Sequence, residues 1–361
     1  MKIKVLKFGG TSVGSVEAIK RSASIICDWS KKSKVIVVLS AMSGETDRLI
    51  NLTKSFSKSP NPVDFDNAIS TGENLSCALM SIYLNNQKTK SKSLHSWQIP
   101  IMTSSEHMKS RILSINKNFL LNELENSDVL VVPGFQGINE RREITTLGRG
   151  GSDTSAVAVA AAMYAECIIY TDVEGVFTTD PNIVPNAKKI NKISYEEMLE
   201  LASQGAKVLQ TRSVELAMRK NTKLSVRSSL KPKKIGTIIT DEKSVLEKNT
   251  VSGIAYTKDE AKITLSRVLD KPGVSSKIFG PLAKGNINVD MILQNISQDG
   301  KFANLSFTLP RADLEKALKI LKKEKSKIGY KKIISSNNIS KISVVGVGMR
   351  SHAGVAQTLF D

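Results

Sequence analysis

A lysine and two glycines stand where a strand-like segment gives way to a helix-like one. Lys7 lies near the end of the apolar run Ile3–Phe8, and Gly9 and Gly10 follow it directly. Glycines let backbone N–H groups approach an anion closely, and the start of the next helix offers further N–H groups to the same charge. This combination suits the phosphates of a nucleotide. An ordinary glycine turn after a strand is the alternative explanation.

Two common phosphate-binding motifs are missing from the sequence. No G-x-x-x-x-G-K-[ST] occurs, so the Lys7 segment is not a Walker A loop. No G-x-G-x-x-G follows a strand-like run, which argues against a dinucleotide-binding fold.

A second glycine-rich segment surrounds an arginine. Gly148, Arg149 and Gly150 come just before an alanine-rich, helix-like run, and Ser152 or Asp153 can cap that helix. A cap does not require an arginine between glycines, and a guanidinium group binds a carboxylate through two parallel hydrogen bonds. The segment therefore predicts a carboxylate-binding loop. A plain glycine loop with a good helix cap is the alternative.

Three further polar segments are weaker signals. The stretch 170–181 is rich in turns and follows a strand-like run, at the end of the strand where open α/β sheets bind ligands, but it could be a surface loop. Residues 40–46 and 70–73 carry little information alone. Glu73 could be a solvated residue or a helix-start residue.

Buried strands alternate with helices in the first part of the chain, which predicts a mainly parallel sheet in an αβα sandwich. The predicted strands are Ile3–Phe8, Lys34–Leu39, Asp128–Val132 and Cys167–Thr171. The predicted helices include Ser15–Asp28 and Thr154–Glu166.

An internal repeat follows a lysine-rich connection at residues 231–236. Residues 262–265 precede Gly273 and Phe279, and residues 341–344 precede Gly354 and Phe360, with the same Gly-to-Phe spacing. The first copy continues as strand segments beginning at 286–290, 302–309 and 331–334, with a helix at 313–323. This βαββαβ order predicts a ferredoxin-like unit. The second copy stops in its first helix. We therefore expect a first domain at 1–240, a first ferredoxin-like unit at 250–338, and the start of a truncated second one at 339–361.

Composition narrows the class of protein. The 361 residues are 40% hydrophobic and 24% charged, which is typical of a soluble globular protein with two or three domains. Three scattered cysteines without a C-x-x-C and three histidines predict neither a disulfide scaffold nor a metal centre, and favour a reducing cytoplasm. The longest apolar run, residues 156–165, is far shorter than the ~20 residues of a bilayer span.

Seven motifs in one order resemble those of the aspartokinases, within the amino-acid kinase superfamily. They are Lys7–Ser12, Ser40–Met42, Ser70–Glu73, Pro133–Gly137, Gly148–Asp153, Thr171–Pro181 and Gly205–Leu209. The two tail units resemble ACT domains, with Asp270–Gly273 and Leu293–Asn295 in the first. The resemblance covers nearly the whole chain, and the ordered set is far more specific than any single motif.

The resemblance implies ATP-dependent phosphorylation of the β-carboxylate of L-aspartate, the first step toward lysine, threonine and methionine. Mg²⁺ would arrive with ATP, without a protein metal site or a tightly bound cofactor. A carboxylate with a reference pKa of ~3.9 is already ionised at neutral pH and needs no general base. The absence of a Ser-His-Asp or Cys-His arrangement is then expected, since phosphoryl transfer depends on positioning and charge neutralisation.

The resemblance also assigns roles to individual residues. Lys7 and Asp153 are the implied catalytic pair. The implied ATP-binding residues are Lys7, Phe8, Gly9, Gly10, Ser40, Thr171, Asp172, Phe177, Asp180, Lys207 and Val208. The implied aspartate-binding residues are Thr46, Glu73, Arg149, Gly150 and Ser152, with Arg149 on the α-carboxylate and Glu73 on the ammonium group. The implied effector-binding residues, for lysine or threonine, are Asp270, Gly273, Asn288, Asp290 and Gln294. ACT units also imply a homo-oligomer.

Three rival functions remain open at this point. The net charge of +18 allows a nucleic-acid binder, but the lysines are scattered and lack interleaved aromatic residues. A catalytically silent amino-acid sensor would require loss of key kinase residues, yet Lys7, Arg149 and Asp153 are present. Another amino-acid kinase, such as one acting on acetylglutamate, would lack the ACT tail. We therefore expect neither a nucleic-acid nor a membrane partner.

Overall fold

The computed structural model describes residues 2–206, 208–241, 251–297, 300–346 and 354–361. They form two compact units: Met1–Ala255 with Val344–Asp361, and Tyr256–Ser343. The expected domain bounds of 1–240, 250–338 and 339–361 stay a prediction. No described helix has the length and apolar character needed to cross a membrane.

The first unit is built on an eight-stranded sheet with the order β10-β12-β11-β9-β1-β2-β6-β3. Neighbouring strands are parallel except for β11 and β12, so the predicted mainly parallel sheet is confirmed. The strands are β1 (Ile3–Phe8), β2 (Lys34–Leu39), β3 (Ser91–Ser93), β6 (Val129–Pro133), β9 (Glu166–Thr171), β10 (Lys192–Ser194), β11 (Leu224–Ser228) and β12 (Thr237–Thr240).

A smaller sheet of four short strands, with the order β5-β4-β7-β8, belongs to the same unit. Its strands are β4 (Ile101–Thr103), β5 (Ile112–Ile115), β7 (Gln136–Ile138) and β8 (Ile144–Thr146). The helices of this part of the chain are α1 (Val16–Ser30), α2 (Glu45–Phe56), α3 (Pro62–Ile69), α4 (Thr71–Asn86), α5 (Lys117–Glu125), α6 (Gly151–Ala162), α7 (Tyr195–Ser203) and α8 (Thr211–Arg219).

Helices cover both faces of the large sheet, which explains why its central strands are apolar throughout. Alternate residues of a strand point to opposite faces. Val5 therefore belongs to the core on the α6 side, whereas its neighbour Leu6 belongs to the core on the α1 and α4 side. A strand buried on both faces cannot alternate polar and apolar residues.

The alanine-rich helix differs in position from the predicted Thr154–Glu166. It begins at Gly151, directly after Gly150, whose left-handed backbone (φ +72°) reverses the chain there. It ends at Ala162, shortly before Tyr164 takes a left-handed conformation (φ +51°). Glu166 is already the first residue of β9 and pairs with Lys4 of β1. The functional loop and the helix thus meet without an intervening turn.

The second unit has the predicted βαββαβ order. Its four-stranded sheet has the order β14-β15-β13-β16, with two helices packed on one face around Ile263, Leu305 and Phe307. The elements are β13 (Gly253–Leu269), α9 (Val274–Lys284), β14 (Ile292–Ile296), β15 (Phe302–Leu309), α10 (Leu314–Lys323), α11 (Lys325–Ile328) and β16 (Lys332–Val345). The second strand begins at Ile292 and not at 286–290. Residues 286–290 connect α9 to it, starting with Asn286 in a left-handed conformation (φ +53°).

The repeat is visible at its glycines. Gly273 (φ +87°) is the N-cap of α9, and Gly354 (φ +91°) is the N-cap of α12 (Val355–Phe360). Residues 341–344, expected as the first strand of a second copy, instead continue β16 without a break from the expected last strand of the first copy.

Candidate active site

A cavity of about 650 Å³ lies where β1 and β2 end and α6 begins. It gathers most of the residues that the sequence singled out for catalysis and for aspartate binding. Its lining includes Lys7, Gly10, Ser40, Thr46, Glu73, Arg149, Gly150, Ser152 and Asp153. These residues come from four separate segments of the chain, so the fold assembles them.

Lys7 and Asp153 form an ion pair inside this cavity. Lys7 Nζ lies 2.6 Å from Asp153 Oδ1, and only about a tenth of each side chain is exposed. Charge attraction holds the lysine beside Asp153. An ammonium group carries three N–H donors, so one directed at the carboxylate leaves the others for a phosphate oxygen.

The glycine pair forms a tight turn under the lysine. Residues Gly10–Ser12 make one turn of 3-10 helix, in which Ser12 N donates to Gly9 O (2.9 Å) and Val13 N donates to Gly10 O (3.2 Å). The first N–H groups of such a turn have no acceptor within it. A Cβ atom at Gly10 would lie 3.0 Å from Ala41 O, so this backbone packs closely against the loop that follows β2.

Glu73 is a buried carboxyl group with one free oxygen. It lies in the first turn of α4 with 3% exposure, and its Oε1 accepts a hydrogen bond from Ala41 N (3.1 Å). Its Oε2 is buried without a hydrogen-bond partner among the described residues. Burial raises the pKa of Glu73 to about 7, although the Ala41 N–H opposes this shift. Such an oxygen can accept a bond from a substrate cation.

Arg149 is the exposed centre of the loop before α6. No hydrogen bond or ion pair engages its guanidinium group within the part of the chain that the structure describes. Gly148 and Gly150 on either side have left-handed backbones (φ +80° and +72°). The loop therefore presents a free cation to the cavity that also holds Glu73 and Lys7.

Three of the predicted ATP-binding residues, Lys7, Gly10 and Ser40, line this cavity, and the other described ones do not. Thr171 ends β9, and its carbonyl oxygen accepts bonds from Ser229 N (2.8 Å) and Ser229 Oγ (3.1 Å). Ser12 Oγ donates to the same Ser229 hydroxyl (3.0 Å), which ties the glycine turn to this edge. The others are Gly9, Asp172, Phe177, Asp180 and Val208. Lys207 lies outside the described residues.

The side chain of Phe8, a predicted ATP-binding residue, lies in the core and not in a pocket. Its ring is fully buried and stacks on Tyr170 with 4.9 Å between ring centroids. The side chain therefore belongs to the core between β1 and the helices, and only its backbone is able to face a nucleotide.

The five effector candidates are spread along the second unit. Asp270 N donates to Lys301 O (3.0 Å) and Asp290 N donates to Thr308 O (3.0 Å), so these two lie beside opposite ends of β15. Gln294 Nε2 donates to Asp270 Oδ1 (3.0 Å), which joins two of them, and Gly273 begins α9. Asp290 is ion-paired with Lys341, and Asn288 is exposed. Whether they bind an effector stays a prediction.

Sequence reasoning missed Asp66 and Arg212, two charged residues beside the cavity. Asp66 is completely buried in α3, and Arg212 is half-buried in α8. Neither stands in a glycine-rich or turn-rich segment, so no local signal distinguishes them. Their partners are 41 to 102 residues away in sequence.

Within the described residues no group of three or more His, Cys, Asp or Glu side chains could hold a metal ion. Asp153 is paired with Lys7 in the cavity at the end of β1, and Asp47 and Glu73 are further acidic residues of its lining. This donor set fits a metal that is bound mainly by nucleotide phosphates and water.

The fold and this site define an amino acid kinase. The sequence model of the Amino acid kinase family matches residues 2–228, and an ACT domain model matches residues 266–324. The crystal structure of E. coli aspartokinase III in complex with aspartate and ADP has the same fold (TM-score 0.80, 24% identity, 100% of this chain and 91% of that one).

Relatives that match along this whole chain identify the family within that class. An aspartate kinase of Pseudomonas putida is 48% identical over 364 residues, covering 100% of this chain and 88% of that protein. An aspartokinase of Helicobacter pylori is 46% identical over 365 residues, covering 99% and 88%. The chain belongs to the aspartate kinase family.

Proposed function

We propose that this protein transfers the γ-phosphoryl group of ATP to the β-carboxylate of L-aspartate. The observation that carries the proposal is the single cavity that joins the Lys7–Asp153 pair to Arg149 and to the free oxygen of Glu73. An α-amino acid offers a carboxylate for the arginine and an ammonium group for the glutamate. Relatives covering the whole chain are named for this activity, which supports the choice of aspartate.

The proposed reaction needs little covalent help from the protein. The ionised β-carboxylate attacks the γ-phosphorus of ATP, one C–O–P bond forms, the bond to the β-phosphate oxygen breaks, and ADP leaves. Lys7 neutralises charge on the transferring group, and the N–H groups of the glycine turn bind its oxygens. Asp153 keeps Lys7 in place. Arg149 and Glu73 hold the α-groups of aspartate so that the β-carboxylate points toward Lys7.

Mg²⁺ accompanies ATP in this proposal and supplies additional charge neutralisation on the phosphates. Asp153 is the described side chain best placed to bind it or its water ligands. No other part of the mechanism depends on it.

Hydroxylamine trapping of the acyl phosphate tests the substrate. With ATP and Mg²⁺, we expect hydroxamate formation from L-aspartate and at least about a hundredfold lower kcat/KM with L-glutamate or N-acetylglutamate, because a misplaced carboxylate loses the in-line geometry. A clear preference for N-acetylglutamate would overturn the proposal, since an acetylated amine gives Glu73 no cation.

The raised pKa of Glu73 leads us to expect an affinity for aspartate that depends on pH. Its pKa of about 7 means that the carboxyl group is mostly neutral at pH 6 and mostly ionised at pH 8. Only the ionised form attracts the substrate ammonium group, so KM for aspartate should fall by about tenfold from pH 6 to pH 8. Steady-state kinetics at saturating MgATP measures this change.

Glu73→Gln is the matched variant for this prediction. It keeps the side-chain shape and removes the titration, so KM should be high and nearly independent of pH between 6 and 8. An unchanged pH dependence of KM in Glu73→Gln would contradict the assignment.

We further propose that an end-product amino acid, lysine or threonine, inhibits the enzyme through the second unit. The ACT match to residues 266–324 supports this, as does a structure of E. coli aspartokinase III in complex with lysine and aspartate in its T-state (TM-score 0.75, 25% identity, 96% of this chain and 87% of that one). Asp270 and Gln294, already joined at 3.0 Å, provide a carboxylate and an amide for an amino-acid ligand.

Asp270→Asn should weaken inhibition at least about tenfold, because a charge-assisted bond to the effector is worth more than a neutral one. Activity measured over a range of concentrations of lysine, threonine or both gives the half-inhibiting concentration of each variant. Asp259→Asn, an exposed position in the same unit, is the control. Equal inhibition of parent and Asp270→Asn would remove Asp270 from the effector site.

We also propose that the product of this reaction feeds lysine, threonine and methionine synthesis. The free thiols of Cys27, Cys77 and Cys167 and the use of ATP favour the cytoplasm as the site of the reaction. Copies of the chain would associate through the second unit, where the edge strand β14 exposes Ile292, Leu293 and Ile296.

A further inference from the structure

We propose that Asp66 and Arg212 are positioning residues that hold the arginine loop, residues 147–150, in the conformation that binds the substrate carboxylate. The proposal rests on the proposed aspartate kinase activity. Asp66 belongs to α3 and Arg212 to α8, and both bind the backbone that leads into the loop.

Asp66 fixes two chain segments through one buried carboxylate. Its Oδ1 accepts from Thr146 Oγ1 (2.7 Å), and its Oδ2 accepts from Thr146 N (3.0 Å) and Met108 N (3.1 Å). His107 Nδ1 lies 2.9 Å from the same Oδ2. Bonds to an ionised acceptor are shorter and stronger than neutral ones. A fully buried carboxylate with this many partners fixes Thr146, the last residue of β8, just before the loop.

Arg212 holds the next residue of the chain. Its Nη1 donates to Leu147 O (2.7 Å), and its Nη2 donates to Ser110 O (3.0 Å). The planar guanidinium group spans two carbonyl oxygens, which an ammonium group cannot do with the same geometry. Ser110 in turn donates to Thr146 O through its N (3.0 Å) and Oγ (2.8 Å). Residues 107–110 and 146–147 are thus hydrogen-bonded together between a carboxylate and a guanidinium group.

The loop needs this support because its own sequence does not define its shape. Gly148 and Gly150 are conformationally permissive, and Arg149 has no partner of its own within the described chain. The carbonyl of Met108 lies close to Gly148, where a Cβ would come within 2.9 Å of it. Affinity falls in proportion to the fraction of molecules in the binding conformation. A loosened loop should therefore raise KM for aspartate specifically.

Two substitutions test the proposal, each with a control on the same helix. Asp66→Asn puts an N–H₂ group against N–H donors, and Arg212→Lys removes the double bridge. Asp64→Asn and Arg219→Lys change exposed residues of α3 and α8. In the two test variants we expect faster hydrogen exchange at the amides of Leu147 and Gly151, and KM for aspartate about tenfold higher. KM for ATP and kcat should change by less than about threefold, and the controls should match the parent.

The double variant gives a further readout that general destabilisation would not reproduce. If both residues act through one loop, their effects on KM are not independent, and the double variant should show less than the product of the two single effects.

Unchanged loop exchange and unchanged KM for aspartate in folded variants would overturn the proposal, as would equal increases in KM for aspartate and ATP. Should Asp66→Asn fail to fold, Arg212→Lys decides the matter alone. A parent protein that turns over no aspartate, with loop exchange still faster in the variants, would refute the proposed activity while supporting the positioning of the loop.

Discussion

Replacing Lys7 with methionine should lower kcat for aspartyl hydroxamate formation by about a thousandfold, or ~4 kcal/mol of transition-state stabilisation. Both reactants are anions, and Lys7 is the cation held at the end of β1 by Asp153, 2.6 Å away. Methionine keeps the length of the side chain and removes its charge. Hydroxamate formation at saturating ATP and aspartate measures the effect, because saturation separates kcat from binding.

Loss of Lys7 also leaves a carboxylate that is largely buried and unpaired, so stability must be measured beside activity. An uncompensated buried charge destabilises a protein strongly. Lys7→Met should lower the melting temperature, and Lys7→Met with Asp153→Asn should recover most of that loss without recovering kcat. Lys2→Met, at an exposed position before the same strand, is the activity control. Recovery of kcat in the double variant would show that Lys7 is structural and not catalytic.

Arg149→Lys should raise KM for aspartate about a hundredfold, which corresponds to ~2.7 kcal/mol, and should leave KM for ATP nearly unchanged. A lysine keeps the positive charge but cannot make two parallel hydrogen bonds to one carboxylate. Arg149 is exposed and lies between two glycines, so we expect the substitution to change neither the loop backbone nor the stability of the fold. Initial rates with each substrate varied in turn measure the two constants.

Arg141→Lys is the matched control, since Arg141 is also exposed and lies in the turn before β8. It should behave like the parent. A KM for aspartate that is unchanged in Arg149→Lys, or one that rises equally for ATP, would show that Arg149 does not bind the amino acid.

Short sequence patterns are enough to predict the parts of the site that directly follow strands. β1 and β2 have the predicted bounds, because continuous apolar runs leave few alternatives in a sheet that is covered on both faces. Since parallel strands end at the same edge of a sheet, Lys7 and the loop after β2 lie together as expected. The glycine of each tail repeat also begins a helix, with nearly identical left-handed backbones.

The supporting residues could not be predicted from local patterns. In the sequence, Asp66 resembles any acidic residue of a short helix. Its role follows from its hydrogen bonds to Thr146, which is 80 positions later in the chain. Glu73 is identified by resemblance alone, because its raised pKa results from burial in the folded protein and not from its sequence neighbours. The start of β14 was misplaced because residues 286–290 are also compatible with a strand, and the tertiary structure places the turn there.

Oxygen transfer from aspartate to phosphate tests the central claim most directly. L-Aspartate carrying ¹⁸O in its β-carboxylate is incubated with the protein, ATP, Mg²⁺ and hydroxylamine, and the released phosphate is analysed by mass spectrometry. Attack of the β-carboxylate on the γ-phosphorus makes a carboxylate oxygen the bridging atom, and hydroxylamine then displaces phosphate that carries this oxygen. We predict one ¹⁸O per phosphate released. Unlabelled phosphate from the β-labelled substrate, or label arriving only from the α-carboxylate, would contradict the account.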